Sequence, residues 1–185
     1  VFHADEVTSV SLLDLFLEEE IEVVRTRNEE ELETCDLLVD VGGKYDGCHY
    51  FDHHQAEFNG GINEVKASSA GLILLWLKNE EKISEGMFEH LHEKVVKGVD
   101  ANDNGIETLQ GEDYSFFQMV SRFNPDWDEE KNEDTAFNEA VEFAKGILKR
   151  EFNSFKSKQK ASSIVKKAVE EAKEEGRAYA ILDKF

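Results

Sequence analysis

Apolar residues recur every three or four positions between 6 and 20, where Val7, Val10, Leu13 and Leu17 share one side, so the spacing predicts an amphipathic helix. The segment 21–25 (IEVVR) reads as a short β-branched strand, and 29–34 as a short helix. Residues 37–41 (LLVDV) are almost continuously apolar and end at Gly42-Gly43, the pattern of a strand buried on both faces. Tyr50 and Phe51 suggest a second short strand. Ser68-Ser69 stand directly before AGLILLWL, an N-cap signal for a buried helix. A longer helix is expected over 84–104, with Met87, Leu91, Val95 and Val99 on its inner face and Asn104-Gly105 as its stop. Helical patterns follow at 114–123 and 134–175, and 178–182 look strand-like. Strands alternating with helices in the first half predict an α/β fold, with a mostly parallel sheet flanked by helices and a helical C-terminal extension. The expected division is one domain over 1–130 and the extension over 131–185, with no internal repeat.

At 185 residues the chain can bury one substantial core. Its longest apolar run, 70–77, is too short to span a bilayer, so no membrane partner is expected. Cys35 and Cys48 give no disulfide framework, which points to a reducing intracellular compartment; cytoplasm, nucleus and mitochondrion stay open. A zinc site from Cys35, Cys48 and His49 matches no common spacing. The net charge of −20 excludes a sequence-independent DNA coat, since like charge repels phosphate. That charge is uneven: between Lys145 and Lys167 eight basic residues face one acid, Glu151. The segment carries +7 and leaves −27 for the rest. A solvated helix face and an anion-contacting arm both fit it.

Several acids and histidines stand where apolar residues would be expected. Asp40 lies near the end of an apolar strand, where an unpaired carboxylate is costly to bury and where parallel α/β sheets build ligand sites. A loop-capping carboxylate is the plainer reading of that residue alone. Asp52-His53-His54 follow within HYFDHHQ, and adjacent histidines in a strand point to opposite faces, so one can bind metal while the other faces a substrate. His3 and Asp5 alternate in an extended segment and can share one ion. Asp100 sits beside Val99 on the apolar side of its helix. Each has a bland alternative, a surface pair or a helix-terminal acid. Together they form an oxygen and nitrogen donor set suited to Mn²⁺ or Mg²⁺. Two such ions a few ångströms apart suit phosphoester hydrolysis.

FDHHQ with VDVGG upstream, FHADE at the start and VDANDNG downstream resembles the DHH phosphoesterase superfamily. RTRN, DVGGKYD, SSAGLI and RFNPDWDE further resemble the melanocyte-proliferating-gene family within it, over residues 1–129. The resemblance implies that His3, Asp5, Asp40, His53 and Asp100 ligate two metal ions, Asp40 bridging them, with Asp52 a ligand or close partner. It implies that His54 faces the scissile phosphate, and that Arg25, Arg27 and Lys66 are candidate phosphate contacts. The amides at the Ser68-Ser69 helix start are a further anion site. The family pattern also has a His upstream of Val1 and a second domain beyond Phe185. The expected activity is a Mn²⁺-dependent phosphodiesterase, an exonuclease on RNA or single-stranded DNA. The alternatives are hydrolysis of a small phosphorylated molecule and a non-catalytic metal-binding module; oligomeric state is left open.

Overall fold

A computed structural model describes residues 1–62, 65–106 and 115–182. Its organising element is α1 (Ala4–Phe16), whose Val7, Leu12 and Leu13 are buried. Three polar side chains on the same helix, Thr8, Ser9 and Ser11, are buried too, and each hydroxyl donates to the carbonyl four residues back. That pairing lets a half-polar helix occupy the centre of the core. The sequence places this helix two to four residues later than observed at each end.

Helix α1 packs against both α3 (Ser69–Asn79) and α7 (Glu133–Glu174). Helices α1 and α7 run in the same direction. Phe2 meets Phe137 edge to face at 5.5 Å, Ser11 donates to the Val141 carbonyl at 3.1 Å, Asp14 pairs with Lys145, and Phe16 meets Phe152 at 5.6 Å. The first half of α7 contributes Ala136, Phe137, Ala140, Val141, Ala144 and Leu148 to the core. Beyond residue 156 the helix is mostly exposed.

The expected helix over 84–104 exists but is not uniform. It consists of α4 (Glu85–Leu91), a wider π-helical turn (His92–Val96) and α5 (Lys97–Asp103). Gly105, at φ +68°, turns the chain so that the Ile106 N–H reaches the Ala101 carbonyl, ending the helix where the Asn-Gly pair indicates. The short helix α2 (Glu29–Leu32) is capped by the Asn28 side chain. A capping box of Ser115 and Gln118 opens α6 (Phe116–Ser121); Tyr114, placed in this helix by the sequence pattern, lies outside the described residues.

The sheet expectation needs correction. Strand β1 (Leu38–Val39) pairs in parallel with β2 (Tyr50–Phe51), while β3 (Gly61–Ile62) pairs antiparallel with β4 (Val65–Lys66). Among the described residues these are two separate two-stranded sheets, not one mostly parallel sheet. The core is instead filled by helices, so the protein is a mixed α/β fold with a long C-terminal helix. The segments 21–25 and 178–182 have strand composition but form no strand. Val23, Val24, Tyr179 and Ile181 are exposed, and among the described residues no backbone pairs with either segment as a ladder. Strand preference depends on such a partner more than on the residues themselves. No described helix is long and apolar enough to cross a membrane.

Candidate metal centre

Four chain segments bring acids and imidazoles together. His3, extended at φ −110°, is the exposed residue before α1; Asp5 and Glu6 lie in that helix's first turn, and Asp5 is 1% exposed. Asp40 follows β1 in a left-handed conformation, φ +58°, which costs a non-glycine residue about 1–2 kcal/mol. Its N–H donates to the Phe51 carbonyl at 3.2 Å, and its Oδ1 accepts from Ser69 at 3.0 Å. Strand β2 leads straight into Asp52-His53-His54, and α5 supplies Asp100 and Asp103.

His53 is the meeting point. Its Nε2 lies 2.9 Å from Asp103, 3.6 Å from Asp40 and 3.8 Å from Asp5. Despite these distances, neither ring nitrogen makes a well-directed hydrogen bond, and both Asp5 oxygens are buried without a partner. Uncompensated buried carboxylates of this kind are rare in folded proteins. Donor atoms of Asp5, His53 and Asp103 lie within 4.8 Å of one another, as do those of His3, Asp5 and Glu6 and those of Asp40, His53 and His54. The three groups overlap through Asp5 and His53, and their oxygen and nitrogen donors fit hard divalent cations.

The electrostatics agree. Burial, with the carboxylates of Asp40 and Asp103, pushes Asp5 well above the ordinary range. Burial likewise raises Glu6. His53 is pulled down by burial but up more strongly by Asp103, Asp40 and Asp5, to about 10. Without metal, therefore, a protonated imidazole neutralises the acids. Because the folded value exceeds the ordinary 6.5, this contribution is fully present below pH 6.5 and is lost as pH rises towards 10. Metal-free protein is accordingly expected to lose stability over that window, by on the order of a few kcal/mol. Mn²⁺ must displace the same proton, so its affinity should rise roughly tenfold per pH unit there. Urea melts and Mn²⁺ titrations at pH 6.5, 7.5 and 8.5 check both trends; flat curves would remove His53 from the centre.

His54 and Asp52 form a second unit. His54 is 60% exposed, and its Nδ1 is 2.8 Å from Asp52 Oδ1 and 3.5 Å from Asp40. Asp52 also accepts the N–H of His54 at 2.9 Å and of Gly43 at 2.8 Å. Burial raises its pKa, but these donors and the imidazole outweigh it, and the net shift is downward. Both Asp52 oxygens are thus committed to holding His54 and the Gly42-Gly43 turn, outside the three donor groups.

Asp100, read from sequence as a ligand, also lies outside those groups. Its Oδ1 accepts from the Ser68 N–H at 3.0 Å, the Ser68 hydroxyl at 2.6 Å and the Gly71 N–H at 3.1 Å. Burial raises it to about 6 against those bonds. Asp100 therefore supplies the anion at the start of α3, a place the sequence offered to substrate phosphate. Ser68 and Ser69 are fully buried, and their hydroxyls hold Asp100 and Asp40. Two of the three predicted phosphate contacts make contacts within the fold. Arg25 pairs with Asp134 at 3.0 Å and stacks over Phe137 at 4.9 Å. Lys66 lies over Phe58 at 5.7 Å, and Arg27 is exposed on the segment between α1 and α2.

Asp103 is the residue that sequence reasoning missed. It lies one helical turn after Asp100 in VDANDNG, so the i, i+3 spacing of two acids on one face was the available signal. Glu6, inside FHADE, was missed in the same way.

A buried carboxylate–imidazole cluster at the junction of α1, β1, β2 and α5 forms a candidate metal-binding site. A sequence model described as an uncharacterised protein family (UPF0160), the MYG1 exonuclease family, matches residues 1–184, and the chain belongs to that family. It is 38% identical over 172 residues to a MYG1 protein of Schizosaccharomyces pombe, covering 80% of this chain and 52% of that protein. It is 37% identical to a MYG1 protein of Chlamydia trachomatis, covering 91% and 57%, and 34% identical to human MYG1 exonuclease, covering 76% and 45%. The chain thus spans about half the length of the curated relatives it matches. No solved structure matches it.

Proposed function

We propose that the chain carries the catalytic site of a divalent-metal-dependent phosphodiesterase of the DHH type, acting as an exonuclease on RNA or single-stranded DNA. In this reading residues 1–130 bear the chemistry and 131–185 form a helical extension. The observation that carries it is the convergence of Asp5, Asp40 and Asp103 on His53, with the Asp5 carboxylate buried and unpartnered. The names of the mammalian relatives, MYG1 exonuclease, support the nuclease assignment.

His3, Asp5, Asp40, His53 and Asp103 would hold the ions, Mn²⁺ or Mg²⁺. Bound there, the ions would activate a water and offset the charge that develops on phosphorus. The chain's own residues do the rest. Asp52 fixes the His54 ring by taking its Nδ1 side, which leaves Nε2 free at the exposed rim. From there His54 can protonate the departing oxygen, as a general acid held in one orientation. Ser69 orients Asp40, and the Asp100 network anchors the start of α3 on which Ser69 stands.

The acidic body, about −27 outside the basic segment, favours a second reading in which the substrate is small. End-labelled RNA and single-stranded DNA incubated with Mn²⁺ decide between them, with Asp103→Asn as control. A stepwise ladder from the unmutated protein, slowed on the order of 100-fold or more in the variant, is expected. Intact oligonucleotides together with cleavage of a dinucleotide would transfer the assignment to the small substrate.

A further inference from the structure

A groove of about 300 Å³ lies at the far end of α1 from the metal centre. Phe16, Phe152 and Phe155 line its apolar walls, and Lys82 and Lys156 stand at its edge. Asp5 and Phe16 are eleven residues apart on one helix, so the groove begins about 16 Å along the axis from the cluster. From this point α7 carries a run of cations. Lys156, Lys158, Lys160, Lys166 and Lys167 are all exposed, with no acid between Glu151 and Glu170. Four lysines, Lys149, Lys156, Lys160 and Lys167, recur at offsets of 7, 4 and 7, which at 100° per residue puts them within a 40° stripe about 27 Å long. Among the described residues Lys149, Lys156 and Lys160 form no ion pair, and Lys167 has only a 3.7 Å contact with Glu171. By contrast Lys145, one turn nearer the core, is neutralised by Asp14 and Glu142.

We propose that the groove and the lysine stripe form one binding track for a single-stranded polynucleotide, on which the strand being degraded is held away from the metal centre. This rests on the phosphodiesterase reading and adds to it the surface that gives a strongly acidic protein access to a polyanion. The lysines rise about 6 to 10 Å from one to the next, matching phosphates two to three nucleotides apart on a stacked strand. A base entering the groove stacks on Phe152 or Phe155, a contact available to any sequence. Lys156 joins the two features, since it belongs to both the groove and the stripe and lies over the Phe152 ring at 4.6 Å. An acidic protein segment would use the lysines but not an aromatic groove of this size, so nucleic acid is the better fit.

The test uses fluorescence anisotropy with a labelled single-stranded 16-mer, alongside hydrolysis of the 16-mer and of a dinucleotide. In Lys149→Glu/Lys160→Glu/Lys167→Glu, the 16-mer Kd is expected to rise at least tenfold, and the ratio of KM for the 16-mer to KM for the dinucleotide to rise with it. The logarithmic salt slope of binding should fall by two to three. The milder substitution of the same lysines by Gln should give a smaller shift in the same direction, and Phe155→Ala should weaken binding about five- to a hundredfold. Unchanged Kd and KM ratio in the folded Glu variant would overturn the track while leaving the catalytic reading standing. Lysine-dependent binding without hydrolysis of either substrate would overturn the catalytic reading and support the track as a binding surface. Equal displacement of the 16-mer by polyglutamate of the same length would show an acidic-protein docking site and overturn the proposal.

Discussion

Asp5→Asn is expected to make the metal-free protein more stable and to abolish Mn²⁺-dependent hydrolysis. Asp5 sits in the first turn of α1, 1% exposed, with no hydrogen bond to either oxygen and with Asp40, Asp103 and Glu6 adding repulsion. Its pKa is raised in the folded state, so folding without metal takes up a proton. The resulting cost is absent at acid pH, grows above the ordinary carboxyl value and levels off at its full size once the folded value is passed. Asn keeps the shape, removes the charge and can donate to the neighbouring acids. The gain should therefore be small near pH 4 and reach about 1–3 kcal/mol at neutral to alkaline pH. Saturating Mn²⁺ should reverse the order, since binding at a hundred times Kd adds about 2.7 kcal/mol to the unmutated protein alone. Urea melts at pH 5 and 8, with and without Mn²⁺, measure all four cases. Equal destabilisation of the variant in all four would mean that Asp5 is structural.

Gly71→Ala should cost about 1–3 kcal/mol, although alanine normally favours a helix interior over glycine by up to about 1 kcal/mol. A Cβ at position 71 would lie 2.6 and 2.8 Å from the Asp100 oxygens and 2.9 Å from Ala67 Cβ. The carboxylate cannot step aside, because three donors hold Oδ1 and the side chain is fully buried. Moving it would shift Ser68 and Ser69, and with them Asp40, so Mn²⁺ affinity should fall as well. Gly98→Ala in α5 is the matched control: a Cβ there meets nothing within 4 Å, and it should be neutral or stabilising. If both substitutions behave alike in urea unfolding, the Asp100 network does not anchor α3.

Much of the helical framework was legible because burial imposes a 3.6-residue period on α1, α3, α4, α5 and α7. The π turn at His92–Val96 was not, since one extra residue per turn hardly disturbs that period. The sheet was misjudged for a different reason: LLVDV and IEVVR have strand composition, but only the first finds a partner, at Tyr50–Phe51. Within the site, Asp40 was readable as a charge at the end of an apolar strand, His53 from the Asp-His-His cluster and Asp5 from its spacing to His3. Asp100 also stood out, on the apolar side of its helix; its Oδ1 turns to the start of α3 and accepts N–H and O–H donors there, while its Oδ2 is buried without a partner. Asp103, the closest acid to His53, sits in a polar stretch where only its i, i+3 spacing from Asp100 sets it apart.

The cation site shared by Asp5, Asp40, Asp103 and His53 is tested most directly by equilibrium titration of metal-free protein with Mn²⁺ at pH 7.5. Saturable binding of two ions that stabilises the fold is expected, with affinity at least tenfold weaker in Asp103→Asn. Absence of saturable binding to folded protein, or identical binding by Asp103→Asn, would contradict it.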